Sequence, residues 1–213
     1  MTPLEHFLAA RDHVVRKGFE EEIVWARRVR FAACEEPQFL AETAFVILNS
    51  GMRARVIDGV WPHLKTCFWQ FASHAEILFT REACLEQARK FFKHEGKLQG
   101  IVRACELVRD HSGWAGYKVY LQTDTLARLR EIPFVGPITV YHLARNLGLD
   151  FAKPDRHLQQ LAARFGEPDV QRFCEALAQT TGERVGVIDV ILWRDAVLRA
   201  EGNPALEPER IVS

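Results

Sequence analysis

The sequence predicts an all-α protein. Apolar residues recur at helical spacing almost everywhere, as in Phe39, Leu40, Ala44, Phe45, Ile47 and Leu48. Alternating runs of strand type are nearly absent, and Gly, Pro and short polar turns cut the chain into pieces of helical length. Helices are expected over 4–16 and 20–33, parted at Gly18, and over 37–49, which opens at Pro37 and runs into Ser50-Gly51. Two more, 53–59 and 62–71, are parted before Pro62; 80–93 and 96–111 follow, the latter closing ahead of Gly113. A polar cap, Thr123 or Asp124, opens 124–131, and the chain then turns at Ile132-Pro133-Phe134-Val135-Gly136. The next helix, 137–147, has Pro137 where a helix tolerates proline best and ends at Leu147-Gly148. The last three, 156–165, 168–180 and 187–200, are punctuated by Gly166, Gly182 and Gly202.

At 213 residues with 48% hydrophobic side chains, the chain can bury a substantial core. It reads as a single helical unit of two interleaved lobes over 1–202, with a loosely held tail over 203–213 that carries Pro204 and Pro208. Lys plus Arg and Asp plus Glu both number 28, so a nucleic-acid partner would be held by local patches, because the molecule offers no overall basic field. Cys34, Cys67, Cys84, Cys105 and Cys174 form no C-x-x-C pair, which fits reduced thiols and gives neither a zinc site nor the spacing of an iron-sulfur cluster. The histidines show no paired metal spacing, and there is no P-loop or dinucleotide fingerprint, so no metal or nucleotide cofactor is expected. No uncharged stretch approaches about 18 residues, so a cytoplasmic protein without a membrane span or signal peptide is expected.

The segment Leu129 to Leu158 carries the most chemistry. Its hairpin between two helices, residues 124–147, offers unpaired backbone N–H groups and a partial positive charge, a sequence-independent way to hold phosphate. Beyond it, Pro154 pushes Lys153 toward an extended conformation, and Asp155 precedes the apolar-periodic run Leu158, Leu161, Ala162, Phe165. That spacing places Asp155 at a helix N-cap, and capping alone would account for it. Beside a bound nucleotide the same carboxylate would also stabilise cationic character at C1′ as a glycosidic bond breaks, or orient an attacking water.

The run G-P-I-T-V-Y-H-L-A-R-N-L-G followed by P-D-R-H-L resembles the helix-hairpin-helix (HhH-GPD) superfamily of DNA glycosylases, and within it is most similar to the archaeal-type 8-oxoguanine DNA glycosylase branch. The likeness is strong over 129–158 and weaker over Phe45 to Trp61 and Val185 to Trp193. It implies an all-helical fold of two lobes around a central cleft into which a base is flipped from double-stranded DNA. By this resemblance Asp155 is the catalytic carboxylate, His157 helps hold a phosphate, and Val135, Gly136 and Ile138 belong to the DNA-gripping hairpin, where an alkali ion can bind. The turn Asn49-Ser50-Gly51-Met52 lies where the family inserts a wedge into the gap left by the flipped base. Asn49, Ser50 or Met52 would fill that gap and Arg53 or Arg55 would contact phosphate; a solvated interhelical loop is the plain alternative. Trp193 and Asp189, four residues apart on one helical face, are implied as the base pocket, against a core aromatic and a helix cap. His142, one helical turn beyond Ile138, is placed at the cleft or, more simply, as a structural histidine.

Two departures qualify the likeness. Bifunctional relatives carry a lysine where this chain has Ile138, and isoleucine forms no Schiff base. Phe134 stands where the hairpin usually has its first glycine, a side chain that would change the turn or point at DNA. Among other basic residues, Arg27, Arg28 and Arg30 read as a solvated face, and Lys90, Lys93, His94 and Lys97 as surface or phosphate contacts. The sequence thus points to a monofunctional DNA glycosylase, active as a monomer on duplexes holding a damaged or modified base. The alternatives are an 8-oxoguanine glycosylase with lyase activity from another lysine, and a non-catalytic DNA-binding protein.

Overall fold

The structure, a computed structural model, describes residues 1–200, and helix-favouring periodicity becomes helix through most of them. The expected loose tail over 203–213 lies outside the described residues. In order, the helices are α1 (Pro3–Arg16), α2 (Glu20–Arg28), α3 (Glu36–Asn49), α4 (Ala54–Cys67), α5 (His74–Phe79), α6 (Arg81–Phe91), α7 (Glu95–Asp110), α8 (Trp114–Thr123), α9 (Thr125–Leu129), α10 (Thr139–Asn146), α11 (Arg156–Arg164), α12 (Val170–Thr181) and α13 (Val185–Ala200). Short 3₁₀ turns occupy Phe31–Ala33 and Trp69–Phe71, and among the described residues there is no strand. Polar caps set several starts. The Thr2 hydroxyl accepts from Glu5 N at 3.2 Å while Thr2 N donates to Glu5 at 2.8 Å, a reciprocal capping box ahead of Pro3.

The described residues divide into two compact units, one of residues 1–32 with 148–200, the other of residues 33–147. In the first unit α13 is the central element. Its residues from Val185 through Asp195 are buried on every side, against Phe7, Ala10 and Val14 of α1, Ile23 and Ala26 of α2, and Phe173 and Leu177 of α12. A helix buried all round must satisfy its charged groups internally. Asp195 does so with His13 Nδ1 and Arg199 Nε, both at 2.7 Å, and Arg194 does so with Glu22 at 2.8 Å.

In the second unit α3 takes the same part, buried continuously from Glu42 to Leu48 and packed by α4, α7 and α10. Aromatic contacts lock its flanks: Phe39 stacks on Trp114 at 4.8 Å, and Phe45 meets Trp61 edge-on at 5.3 Å. The expected break before Pro62 does not occur. A single helix, α4, runs through the proline, because Ile57, Leu64 and Phe68 on either side are fully buried and tertiary packing outweighs the lost N–H. Helices α5 and α8 were not foreseen. Residues 114–123 mix aromatic, β-branched and glycine residues of modest helix propensity, yet burial of Tyr117 and Leu121 makes them helical. The expected helix over 20–33 stops at Arg28, where Val29 turns extended.

Gly148 is the backbone position the first unit tolerates least change at. Its φ is 82°, and a Cβ there would lie 2.6 Å from Arg30 N and 2.7 Å from Arg30 Cα. Its carbonyl accepts from Phe31 N at 3.3 Å and from Arg184 at 2.7 Å, while Arg184 also donates to Val29 O at 2.8 Å and so closes the end of α2. Gly148→Ala is therefore expected to destabilise the protein by more than the ~1 kcal/mol of a positive-φ alanine alone, since backbone must move. Urea denaturation of the variant reads this; an unchanged midpoint would contradict it.

Candidate active site

The hairpin lies in the second unit. Of the two expected caps, Asp124 opens α9, its Oδ1 accepting from Ala127 N at 3.4 Å. Ile132 and Val135 turn inward and are buried, whereas Ile138 is 43% exposed at the mouth of α10. Thr139 Oγ accepts from Gly136 N at 2.6 Å, and Val140 N donates to Gly136 O at 3.0 Å, so the Gly136 amide is spent inside the turn. Ahead of the α10 ladder, Val140 N donates to Gly136 O and Tyr141 N to Ile138 O at 3.2 Å, while among the described residues the amides of Ile138 and Thr139 take no partner; α10 begins two residues later than Pro137 suggested.

Phe134 keeps the glycine-like turn. Its φ is 66°, the left-handed region that a phenylalanine adopts at a cost of about 1–2 kcal/mol. The ring packs into a notch on α7 made by two glycines one turn apart: a Cβ at Gly96 would lie 3.3 Å from the ring and one at Gly100 3.2 Å from it. His94 meets the ring edge-on at 5.7 Å and Lys97 Nζ lies 5.9 Å from its centroid. The side chain leaves the turn glycine-like, and two missing side chains on α7 seat one side of the ring while 37% of the residue stays exposed.

The turn after α3 is held from the same helix. Asn49 Nδ2 donates back to Phe45 O at 3.0 Å, Met52 N donates to Asn49 O at 2.9 Å, and Gly51 adopts φ 69°. Asn49, Ser50 and Met52 are half-buried, while Arg53 and Arg55 are exposed. Lys97, expected at the surface or on phosphate, is instead 2% exposed and donates to Leu48 O at 2.6 Å and Ser50 O at 2.5 Å. A buried ammonium on the last carbonyls of a helix is favoured by the helix dipole. Lys90 and Lys93 stay at the surface, and His94 caps α7. In the first unit Arg27 pairs with Glu183, and Arg30 folds back on the carbonyls of Arg27 and Val29.

Asp155 lies in the first unit, at the N-cap of α11 with extended backbone (φ −79°, ψ 172°). Its Oδ1 accepts from His157 N at 2.9 Å and from Leu158 N at 3.1 Å. Among the described residues Oδ2 takes part in no hydrogen bond or ion pair, and the side chain is half-buried. The approach to it is built by Asp189, which sits inside α13 rather than capping it. The Asp189 carboxylate, wholly buried, accepts from Lys153 N at 2.8 Å, and Asp155 N donates to Lys153 O at 2.8 Å. Asp150 accepts from Gly186 N at 3.0 Å, and Ala152 N donates to Gln171 at 2.9 Å, so the segment delivering Asp155 is tied down at Asp150, Ala152 and Lys153. His157 is half-buried on the first turn of α11. Trp193 is 4% exposed in the core, its ring 4.7 Å from the Arg194 guanidinium.

His142 is buried on α10 together with Arg145 and Asn146, which the sequence had not marked. Asn146 Nδ2 donates to Glu42 of α3 at 3.0 Å. Burial pushes the Glu42 carboxyl up to about 7, against the pull of that hydrogen bond and of the Arg145 charge. The folded state thus holds a proton that the unfolded chain releases near its ordinary value, so this contribution to stability is present at low pH and is lost as pH rises toward about 7. Glu42→Gln keeps an acceptor for Asn146 and removes the charge. Relative to the native protein, the variant is expected to gain about 3 kcal/mol as pH rises from about 5 to about 7 and no more above that, read as urea midpoints across pH. Parallel curves for the two proteins would contradict it.

No protein-family model and no curated protein matches the sequence. Among solved structures the chain is similar to the 8-oxoguanine DNA glycosylase of Thermotoga maritima, with a TM-score of 0.56 and 19% identity over 89% of this chain and 93% of that one. At that identity the likeness is one of fold: this chain has the all-helical architecture of that glycosylase.

Proposed function

We propose that the protein is a monofunctional DNA glycosylase that hydrolyses the N-glycosidic bond of a damaged or modified base flipped out of duplex DNA. The observation that carries this reading is Asp155: one carboxylate oxygen is fixed by two amides of α11 and the other has no partner among the described residues. The fold shared with an 8-oxoguanine DNA glycosylase and the hairpin ending at α10 support it.

In this reaction the bond from C1′ to the base nitrogen lengthens and the base leaves with the bonding electrons. Positive charge builds on C1′ and the ring oxygen, and the Asp155 carboxylate stabilises that charge and accepts a proton from the water that attacks C1′. The products are the free base and an intact strand with an abasic site. Two amides on one oxygen hold the group before substrate arrives, so little reorganisation is needed as charge develops. Lyase chemistry would need an amine on C1′. Ile138 offers none, and the Lys97 amine is engaged by two carbonyls. Contacts of the amides of Ile138 and Thr139, with Arg53, Arg55 and His157, would hold the strand by its phosphates, and Asn49, Ser50 or Met52 would fill the gap in the stack.

Asp155→Asn is the informative variant, because asparagine caps a helix as well as aspartate and the fold is retained. On duplexes containing 8-oxoguanine, alkylated purines, hypoxanthine or uracil, the native protein is expected to release one of these bases and to give strand breaks only after alkali. The variant is expected to lose roughly 10²–10⁴ in release rate with duplex binding preserved. Equal activity in the variant would remove Asp155 from the mechanism. Breaks without alkali, trapped by borohydride, would mark a lyase, and binding without release would mark a non-catalytic protein.

A further inference from the structure

Lys97 is a buried cation placed between two segments of the second unit that lie far apart in sequence. Its ammonium donates to Leu48 O at 2.6 Å and Ser50 O at 2.5 Å, the carbonyls on either side of Asn49, and it lies 5.9 Å from the centroid of the Phe134 ring. Its own helix supplies the notch for that ring, with Gly96 immediately before it and Gly100 three residues on. His94, which caps the same helix by accepting from Lys97 N at 3.4 Å, meets the ring edge-on at 5.7 Å. The first turn of α7 therefore touches both the turn after α3 and the bend between α9 and α10. Burial lowers the Lys97 pKa, so desolvation of the ammonium has a cost that, among the described residues, these carbonyls and the ring face offset.

We infer that Lys97 is a positioning residue that couples the Asn49–Arg53 turn to the Phe134 bend, so that the two move as one body when DNA is engaged. This rests on the proposed function for its consequence but not for its geometry. Both carbonyls and the ring must be in place for the ammonium to stay buried. Displacement of either segment leaves a charged group without its partners, and that penalty is what links them. Ser50 and Met52 offer a wedge only while the turn keeps this shape, and the amides of Ile138 and Thr139 follow the Phe134 bend by a few residues of chain. With the link cut, the two segments fluctuate independently. Undamaged duplex would still be held by exposed arginines, but the wedge and the grip would no longer arrive together, and the flipped state would be less populated.

The test uses Lys97→Met, which keeps the apolar stem, beside Lys97→Arg, which keeps the charge. In the free protein, amide hydrogen exchange is expected to rise about tenfold or more in both 48–53 and 131–139 for Lys97→Met, with α13 unchanged and Lys97→Arg intermediate. Faster exchange in only one of the two segments, or in neither, would overturn the coupling. Uniformly faster exchange would overturn it as well, because that is what a general structural role produces. Should Lys97→Met fail to fold, the same reading is taken from Lys97→Gln. On a cleavable duplex with 2-aminopurine beside the target base, Lys97→Met is expected to lower both the unstacking signal and single-turnover release about tenfold, with affinity for undamaged duplex within about threefold. In an Asn49→Ala, Met52→Ala background the Lys97→Met loss is expected to shrink toward nothing, since the element it positions is gone; full additivity would overturn the inference. If the native protein releases no base, the glycosylase reading falls, while the exchange measurement still decides the coupling.

Discussion

A helix cannot begin in a half-buried place unless something accepts its first amides, and at α11 that acceptor is the Asp155 carboxylate. Two bonds, at 2.9 and 3.1 Å, use one of its oxygens and fix the direction of the other. On the proposed function, stability and reactivity are thereby joined in a single group. The cap holds the carboxylate rigid, and rigidity is what makes a lone oxygen useful against a charge that exists only in a transition state. The buried Asp189, through the Lys153 amide at 2.8 Å, extends that rigidity back along the chain into the most buried helix of its unit. A carboxylate inside α13 is thus one residue of backbone away from the group proposed to do the chemistry, although it sits too deep to take part itself.

The second unit uses polar burial in a similar way. Lys97 and Glu42 are ionisable residues where an apolar side chain would have packed, and each is attached to a segment of the hairpin or its neighbour: Lys97 to the turn after α3 and to Phe134, Glu42 to Asn146 at the end of α10. Such groups weaken a core unless every partner is in place, and in return they fix one arrangement among several of similar packing. With equal numbers of acidic and basic residues in the chain, the proposed hold on DNA would come from arrangement rather than from overall field.

Much of this was legible in the sequence. The all-helical class followed from apolar spacing, and the caps at Asp124 and Asp155 followed from the residue types that accept amide hydrogens. Phe134 could be recognised as anomalous, but not where its ring would go, because the answer lies in Gly96 and Gly100 more than thirty residues earlier. Those two glycines sit inside a good helical pattern, where their spacing of four is the trace of a notch. Lys97 looked like any surface lysine, since nothing local distinguishes a lysine whose partners are backbone carbonyls of another helix. Helix α8 escaped for a related reason: its residues are helical on account of Phe39 and the burial of Tyr117, contacts that no window of sequence contains. Asp189 was read as a base-pocket residue or, more plainly, a helix cap; it lies inside α13 and caps nothing, and its carboxylate accepts from the loop that carries Asp155, a partner 36 residues away that no local pattern reveals.

Mass analysis of both DNA strands after a single turnover in oxygen-18 water bears most directly on hydrolysis assisted by Asp155. Attack by water at C1′ predicts a full-length strand that has lost one base and carries one heavy oxygen at the abasic sugar, with the free base unlabelled. A shortened strand, or a strand covalently joined to the protein after reduction, would contradict it.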